Sequence, residues 1–170
     1  TGPIGMMTAE YHCNHLHASW WREQAKSGGQ IVEQAIHLID LMVLCMGAPD
    51  TAYARRARLF HNEPGYDVED VSGMVFGWND GRMAVINANN IAVHGVWHKQ
   101  WAIFGREMTG RFADWDDAVF TPCDGRGEAR RIQGGTDPFV AQLIDLVSAV
   151  RTGSPLIAPL AGGVETQRIA

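Results

Sequence analysis

The chain has 170 residues, 46% hydrophobic and 19% charged, with a formal net charge of −5. Such a chain folds as one domain with a real apolar core and is not a disordered tail. Its acidic balance excludes a nucleic-acid surface, and three cysteines without CxxC spacing exclude a disulfide framework or zinc knuckle.

Residues 4–17, IGMMTAEYHCNHLH, read as a strand, and residues 19–29, SWWREQAKSGG, as a loop of turn formers. A helix is predicted over 30–46, stopped by Gly47-Ala48-Pro49. Residues 51–60 form the next strand and 61–70, HNEPGYDVED, a turn-rich connection. The segments 71–78 and 82–93 flank Asn79-Asp80-Gly81, a hairpin in which Asp-Gly takes positive φ at both positions. The meander continues through 99–105 and 110–115, with short strands near 118–120 and 128–132. A second helix follows in TDPFVAQLIDLVSAVRTGSP. Thr136 or Asp137 caps it, Pro138 opens its first turn, and Gly153 with Pro155 ends it. Phe139, Leu143, Leu146, Val147 and Val150 fall on one stripe, which predicts packing against another element.

Strands joined by short turns, with helices at both ends of the chain, predict an α+β fold. Its centre is an open-faced, predominantly antiparallel β-sheet with helices packed on one face. No strand–GxGxxG–helix unit is present. Gly125-Arg126-Gly127 lies among turn residues, so no Rossmann domain is expected in this chain. The start at Thr1 without a methionine, and the stop at Ala170 just after a Gly162-Gly163 pair that opens a helix, lead us to expect a fragment, a single domain over 1–170. No apolar run is read as a membrane span and no signal peptide is seen, so a cytoplasmic location without membrane or nucleic-acid partners is expected.

The predicted helix 30–46 carries a polar arc: Gln30, Glu33, Gln34, His37 and Asp40 share one side of an otherwise apolar surface. A buried carboxylate needs a donor, and His37 lies one turn from Glu33. A neutral but basic imidazole is what general-base chemistry requires, and an adjacent carboxylate orients it. The competing structural reading is a pair that merely satisfies itself at an interface. Asp40 reads as structural.

GGQIVEQAIHLID resembles the Gly-Gly-x-hydrophobic-hydrophobic-Asp/Glu-x-x-x-His-x-x-Asp signature of the glucose–fructose oxidoreductase / inositol dehydrogenase / MocA family, within its C-terminal domain. Trp20-Trp21-Arg22 before the glycines, DVEDVSGMVFGWNDGRM, WAIFGREMTGRF and DPFVAQLIDLVSAVRTGSP extend the resemblance over almost the whole chain. It implies a C-terminal domain that supplies the substrate pocket and, through the open sheet face, a homo-oligomer contact, paired with its own N-terminal Rossmann domain. Hydride would pass between a sugar or polyol carbon and NAD or NADP. His37 falls on the catalytic histidine and Glu33 on its acidic partner, more often Asp in the family. The family lysine of a Glu-Lys-Pro motif has no match at Lys26 or Lys99, so the cofactor site is expected upstream. No cofactor is expected in this fragment, which alone should be inactive.

Among other residues, one of Trp20 and Trp21 should anchor the loop while the other stacks a sugar ring. Trp21 and Arg22, with Gln34 and His15, are the expected substrate contacts. Asn87, Asn89 and Asn90 read as exposed or interface amides, and the arginines at 55, 56 and 58 as solvated. Two further function classes stay open: a non-catalytic carbohydrate-binding or dimerisation module, and a metal-dependent hydrolase or lyase using His15, His17, His37 and Glu33, for which spacing is weak support.

Overall fold

The computed structural model describes residues 2–14, 16 and 18–170. Its centre is an eight-stranded sheet in the order β2-β3-β4-β1-β5-β6-β7-β8. The strands are β1 (Ile4–His12), β2 (Thr51–Ala57), β3 (Val71–Gly77), β4 (Met83–Asn89), β5 (His98–Gly105), β6 (Met108–Phe112), β7 (Asp117–Pro122) and β8 (Arg130–Gln133). All neighbours are antiparallel except β1 and β4. A parallel pair needs a crossover connection. Here the crossover contains a short helix α1 (Gln24–Ser27), the main helix α2 (Ile36–Met46) and the β2–β3 pair. The first strand thereby enters the middle of the sheet rather than its edge.

Strand periodicity sorts the faces. Met7, Ala9 and Tyr11 of β1 are buried beneath the helix, joined by Ile86 of β4 and Ile103 of β5. Leu38, Ile39 and Met42 of α2 are fully buried on that layer. Each such side chain contributes roughly 1.5–3 kcal/mol by leaving water. The register puts Thr8, Glu10 and His12 on the opposite face, beside Val85, Asn87 and Asn89 of β4 and Gln100 and Ala102 of β5. No helix covers that face among the described residues.

Three expectations change. The β3–β4 hairpin does not take positive φ at both Asp80 and Gly81; only Gly81 does, at +92°. The Gly81 N–H donates to Trp78 O at 2.9 Å and the Trp78 N–H to Arg82 O at 3.0 Å, so the loop is a turn closed by a glycine bulge. Helix α3 (Pro138–Thr152) is capped as expected, with Asp137 Oδ1 accepting from the N–H groups of Phe139 and Val140. Yet none of its residues is buried, and its apolar stripe is left largely exposed. The stretch Gln24–Met46 is, by length and composition, apolar enough to cross a membrane, contrary to the sequence reading; half of it is buried inside the molecule. Helix α4 (Leu160–Ile169) packs on α2, where Thr166 Oγ1 donates to Asp40 Oδ1 at 2.6 Å. Asp40 is thus structural, with a hydroxyl as its partner.

The segment read as a loose connection holds three acids that organise the chain. Asp67 Oδ1 accepts from Gln24 N, Glu69 Oε1 from Ile31 N at 2.9 Å, and the Asp70 carboxylate from the N–H groups of Leu59, Phe60 and His61.

Candidate active site

The route into α2 sets the site. Gly28 and Gly29 turn the chain with φ of +80° and +96°. A Cβ on Gly29 would lie 2.5 Å from a carboxylate oxygen of Glu69, so only glycine admits both the turn and that acid. Glu69 satisfies the Ile31 N–H, which has no acceptor within the helix, and places negative charge at the helix's positive end.

Residues Ile31–Ala35 form a wide π-type turn before α2 proper. One extra residue in a turn rotates the downstream side chains by roughly 100°. The polar arc read from an ideal helix is therefore split. Gln30 and Gln34, each 2% exposed, point inward, whereas Glu33 is half-buried and His37 and Asp40 are exposed. Gln34 Oε1 accepts from Gln30 Nε2 at 3.1 Å and lies 3.6 Å from Cys13 Sγ; the Cys13 thiol donates to Asn90 Oδ1 at 2.7 Å. Gln30 Oε1 and Gln34 Nε2 have no partner among the described residues. Orphaned buried amide atoms cost about 1–3 kcal/mol each unless a ligand or water reaches them.

His37 is committed to no hydrogen bond among the described residues, and none joins it to Glu33 one turn away. Its ring meets Trp115 edge to face, centroids 6.0 Å apart and planes at 73°. Trp115 leans on Tyr11, Tyr11 on Trp97, and Trp97 on Trp21, each pair 6.0–6.3 Å apart. Lys99 reaches over the Trp115 ring, its Nζ 4.9 Å from the centroid and 3.0 Å from Asp114 Oδ1. Burial, followed by the charges of Cys13 and Asp114, pushes the Tyr11 hydroxyl up to about 12. It therefore stays protonated at neutral pH. An uncommitted imidazole beside an aromatic wall and a fixed cation can take or give a proton at a polar ligand.

Trp21 is the anchored tryptophan, packed on Leu16, Tyr66 and Val68, and Trp20 is the exposed one. Arg22 directs Nε and Nη2 to Leu16 O, at 2.9 and 2.7 Å. It lines a recess of about 190 Å³ with Asn14, His61, Glu63, Tyr66 and Asn90. Asn90 is not an interface amide: it is 1% exposed and its Nδ2 donates to Tyr66 Oη at 3.4 Å. His15 and His17 lie outside the described residues. Among those described, no group of three or more His, Cys, Asp or Glu is placed to hold a metal. His12 lies on the sheet face opposite α2. Tyr11, Trp115 and Lys99 were not picked out from sequence. The only signal was the odd-numbered face of β1, which puts Tyr11 opposite Lys99.

The model of the GFO/IDH/MocA C-terminal domain matches residues 1–111. The chain belongs to the GFO/IDH/MocA family. No curated protein matches it in sequence. Its fold is similar to that of a levoglucosan dehydrogenase solved with NADH and levoglucosan (TM-score 0.84, 16% identity, 99% of this chain and 55% of that one). It also resembles an NAD-binding oxidoreductase from Klebsiella pneumoniae (0.82, 16%, 99% and 55%). A third likeness is to a UDP-N-acetylglucosamine 3-dehydrogenase from Acidithiobacillus ferrooxidans (0.78, 17%, 99% and 51%). This GFO/IDH/MocA domain thus spans about half the length of the solved structures it matches.

The described residues do not fit a dinucleotide. The glycine turn in the β1–β4 crossover, Gly28-Gly29, leads to a helix N-terminus whose Ile31 N–H is already taken by the Glu69 carboxylate, which repels a phosphate, and Gly125 and Gly127 sit in the turn between β7 and β8.

Proposed function

We propose that this chain is the substrate and oligomerisation domain of an NAD(P)-dependent oxidoreductase acting on a sugar or polyol hydroxyl or carbonyl. His37 is its general acid/base. The observation that carries this reading is the placement of His37. The π-type turn delivers it, exposed and uncommitted, to the aromatic wall, at the motif position where the family has its histidine. Glu33, one turn back on the same helix, is the carboxylate this reading assigns to steady the imidazolium.

Trp115 and Trp97 offer apolar rings to the C–H faces of a sugar, with the anchored Trp21 backing Trp97, and Lys99 and the Tyr11 hydroxyl supply donors. Gln34 extends the polar contacts through its unpaired amide nitrogen; Arg22 and His15 belong to this reading on sequence grounds. Nicotinamide chemistry belongs to a separate cofactor domain of the kind the Rossmann-containing family members carry. The bare stripe of α3 supports that pairing, since it is an apolar surface in search of a cover. The uncovered sheet face supports self-association of the domain.

The test is His37→Ala in the full-length enzyme. Turnover should fall roughly 10²–10⁴-fold while the substrate's KM changes far less. Turnover within twofold of the parent would end the general-base reading.

A further inference from the structure

The open sheet face carries a titratable cluster that the chemistry at His37 does not use. Glu10 of β1 receives two imidazoles: His98 Nε2 at 3.1 Å on Oε1, and His12 Nε2 at 3.4 Å on Oε2. The rings lie parallel, 5.8 Å between centroids and 5° between planes. Asn89 fixes the proton count. Its Oδ1 accepts from Ile91 N at 3.2 Å, which orients the amide so that Nδ2 points at His12 Nδ1, 2.7 Å away. An amide nitrogen only donates, so His12 Nδ1 accepts and the ring proton sits on Nε2, toward Glu10. With one proton on each ring, these contacts are satisfied and the cluster carries a single negative charge.

The register defines the surroundings. Arg55 of β2, Arg111 of β6, and Asp117 of β7 with Arg131 of β8 share this face, and β3, β4 and β5 add no further charge besides His98. Arg131 is held by Asp117 through two bonds of 2.8 and 2.9 Å. Three guanidiniums against Glu10 and Asp117 leave the face at 3 − 2 = +1 with neutral rings, and at +3 when both rings are protonated. Between the charges run exposed Tyr53, Val75, Met83 and Val119, and a hollow of about 650 Å³ opens at Thr8, Glu10, Asn87, Gln100 and Arg111. A face with an apolar stripe and charges of both signs is complementary to a second copy of itself across a two-fold axis.

We propose that the Glu10–His12–His98 cluster makes the contact of this open face with a second copy pH-dependent, firm at neutral pH and weakened in mild acid. The inference rests on the self-association reading above and adds its regulation. With neutral rings, Glu10 and Asp117 leave each copy one net positive charge on this face. With charged rings, each copy presents three net positive charges to its own image in a desolvated contact, so the repulsion grows steeply. Protonation of His12 also sets an N–H against the Asn89 amide nitrogen.

The experiment is sedimentation equilibrium of the 170-residue chain carrying Leu143→Gln and Val147→Gln, which silence the α3 stripe, at about pH 8 and about pH 5. The dissociation constant should rise at least about tenfold in acid. His12→Gln with His98→Gln keeps donors toward Glu10 that do not titrate, and should associate equally at both pH values. An unchanged acid response in that double variant, or none in the parent, overturns the switch but leaves the face reading intact. Absence of association at either pH, or association indifferent to Val119→Glu, overturns the face reading and the switch together.

Discussion

Asp70 shows how much one side chain can organise. It is fully buried, and its carboxylate accepts backbone N–H groups from Leu59, Phe60 and His61 at 2.7–3.0 Å. Burial alone would raise its pKa, but the three donors and the nearby His61 outweigh it and hold the group below the ordinary carboxylate range. A pKa depressed in the folded state adds stability above the unfolded value of about 4, and that stability is lost as pH falls through the folded value. Asp70→Asn should therefore cost about 3 kcal/mol in chemical denaturation at neutral pH. Its stability should also decline less than the parent's below about pH 4. Equal acid slopes in the two proteins would contradict the assignment. None of this was legible in HNEPGYDVED, because Asp67 and Glu69 find their donors far back in the chain and Asp70 finds its own only once the connection folds back on residues 59–61. Arg56 and Arg58 are exposed as read, but the contacts they make, Arg56 with Glu69 and Arg58 with Tyr66 O, were not legible. His37 was legible, because a histidine on an apolar helix stands out in any window.

At the scale of elements, periodicity located most strands and both long helices, since alternation and 3.6-residue spacing are local properties. It missed what depends on partners. The 30–46 helix contains a π-type turn that an ideal wheel cannot show, so Gln30 and Gln34 appeared beside His37 when they point inward. Strand β1 takes a central place beside β4 because its two neighbours come from far along the chain. Helix α3 is amphipathic as read but lacks a floor. Val150 stays 78% exposed at the end of a stripe that includes Leu143 and Val147. Leu143→Glu with Val147→Glu should shift the unfolding free energy of this chain by no more than about 0.5 kcal/mol. Leu38→Ala, in the packed face of α2, should cost about 2–5 kcal/mol. A loss of several kcal/mol in the α3 variant would mean the stripe already packs within the chain.

Across the whole molecule, the two sheet faces divide the labour we propose. One holds α2, the aromatic wall and His37; the other is left open and charged for a second copy. The glycine turn that enters the main helix is occupied by Glu69 rather than left open for a phosphate. Titration of this chain with NADH should accordingly give no saturable quenching or transfer from its six tryptophans, and tight binding would overturn that view of the cofactor. The exposure of His37 permits the most direct test of its role. In the full-length enzyme, His37→Ala should be nearly inactive and should regain turnover in proportion to added imidazole, which can enter the space left by the missing ring. A variant that retains full turnover, or an inactive one that imidazole leaves unchanged, would contradict a proton-transfer role for this side chain.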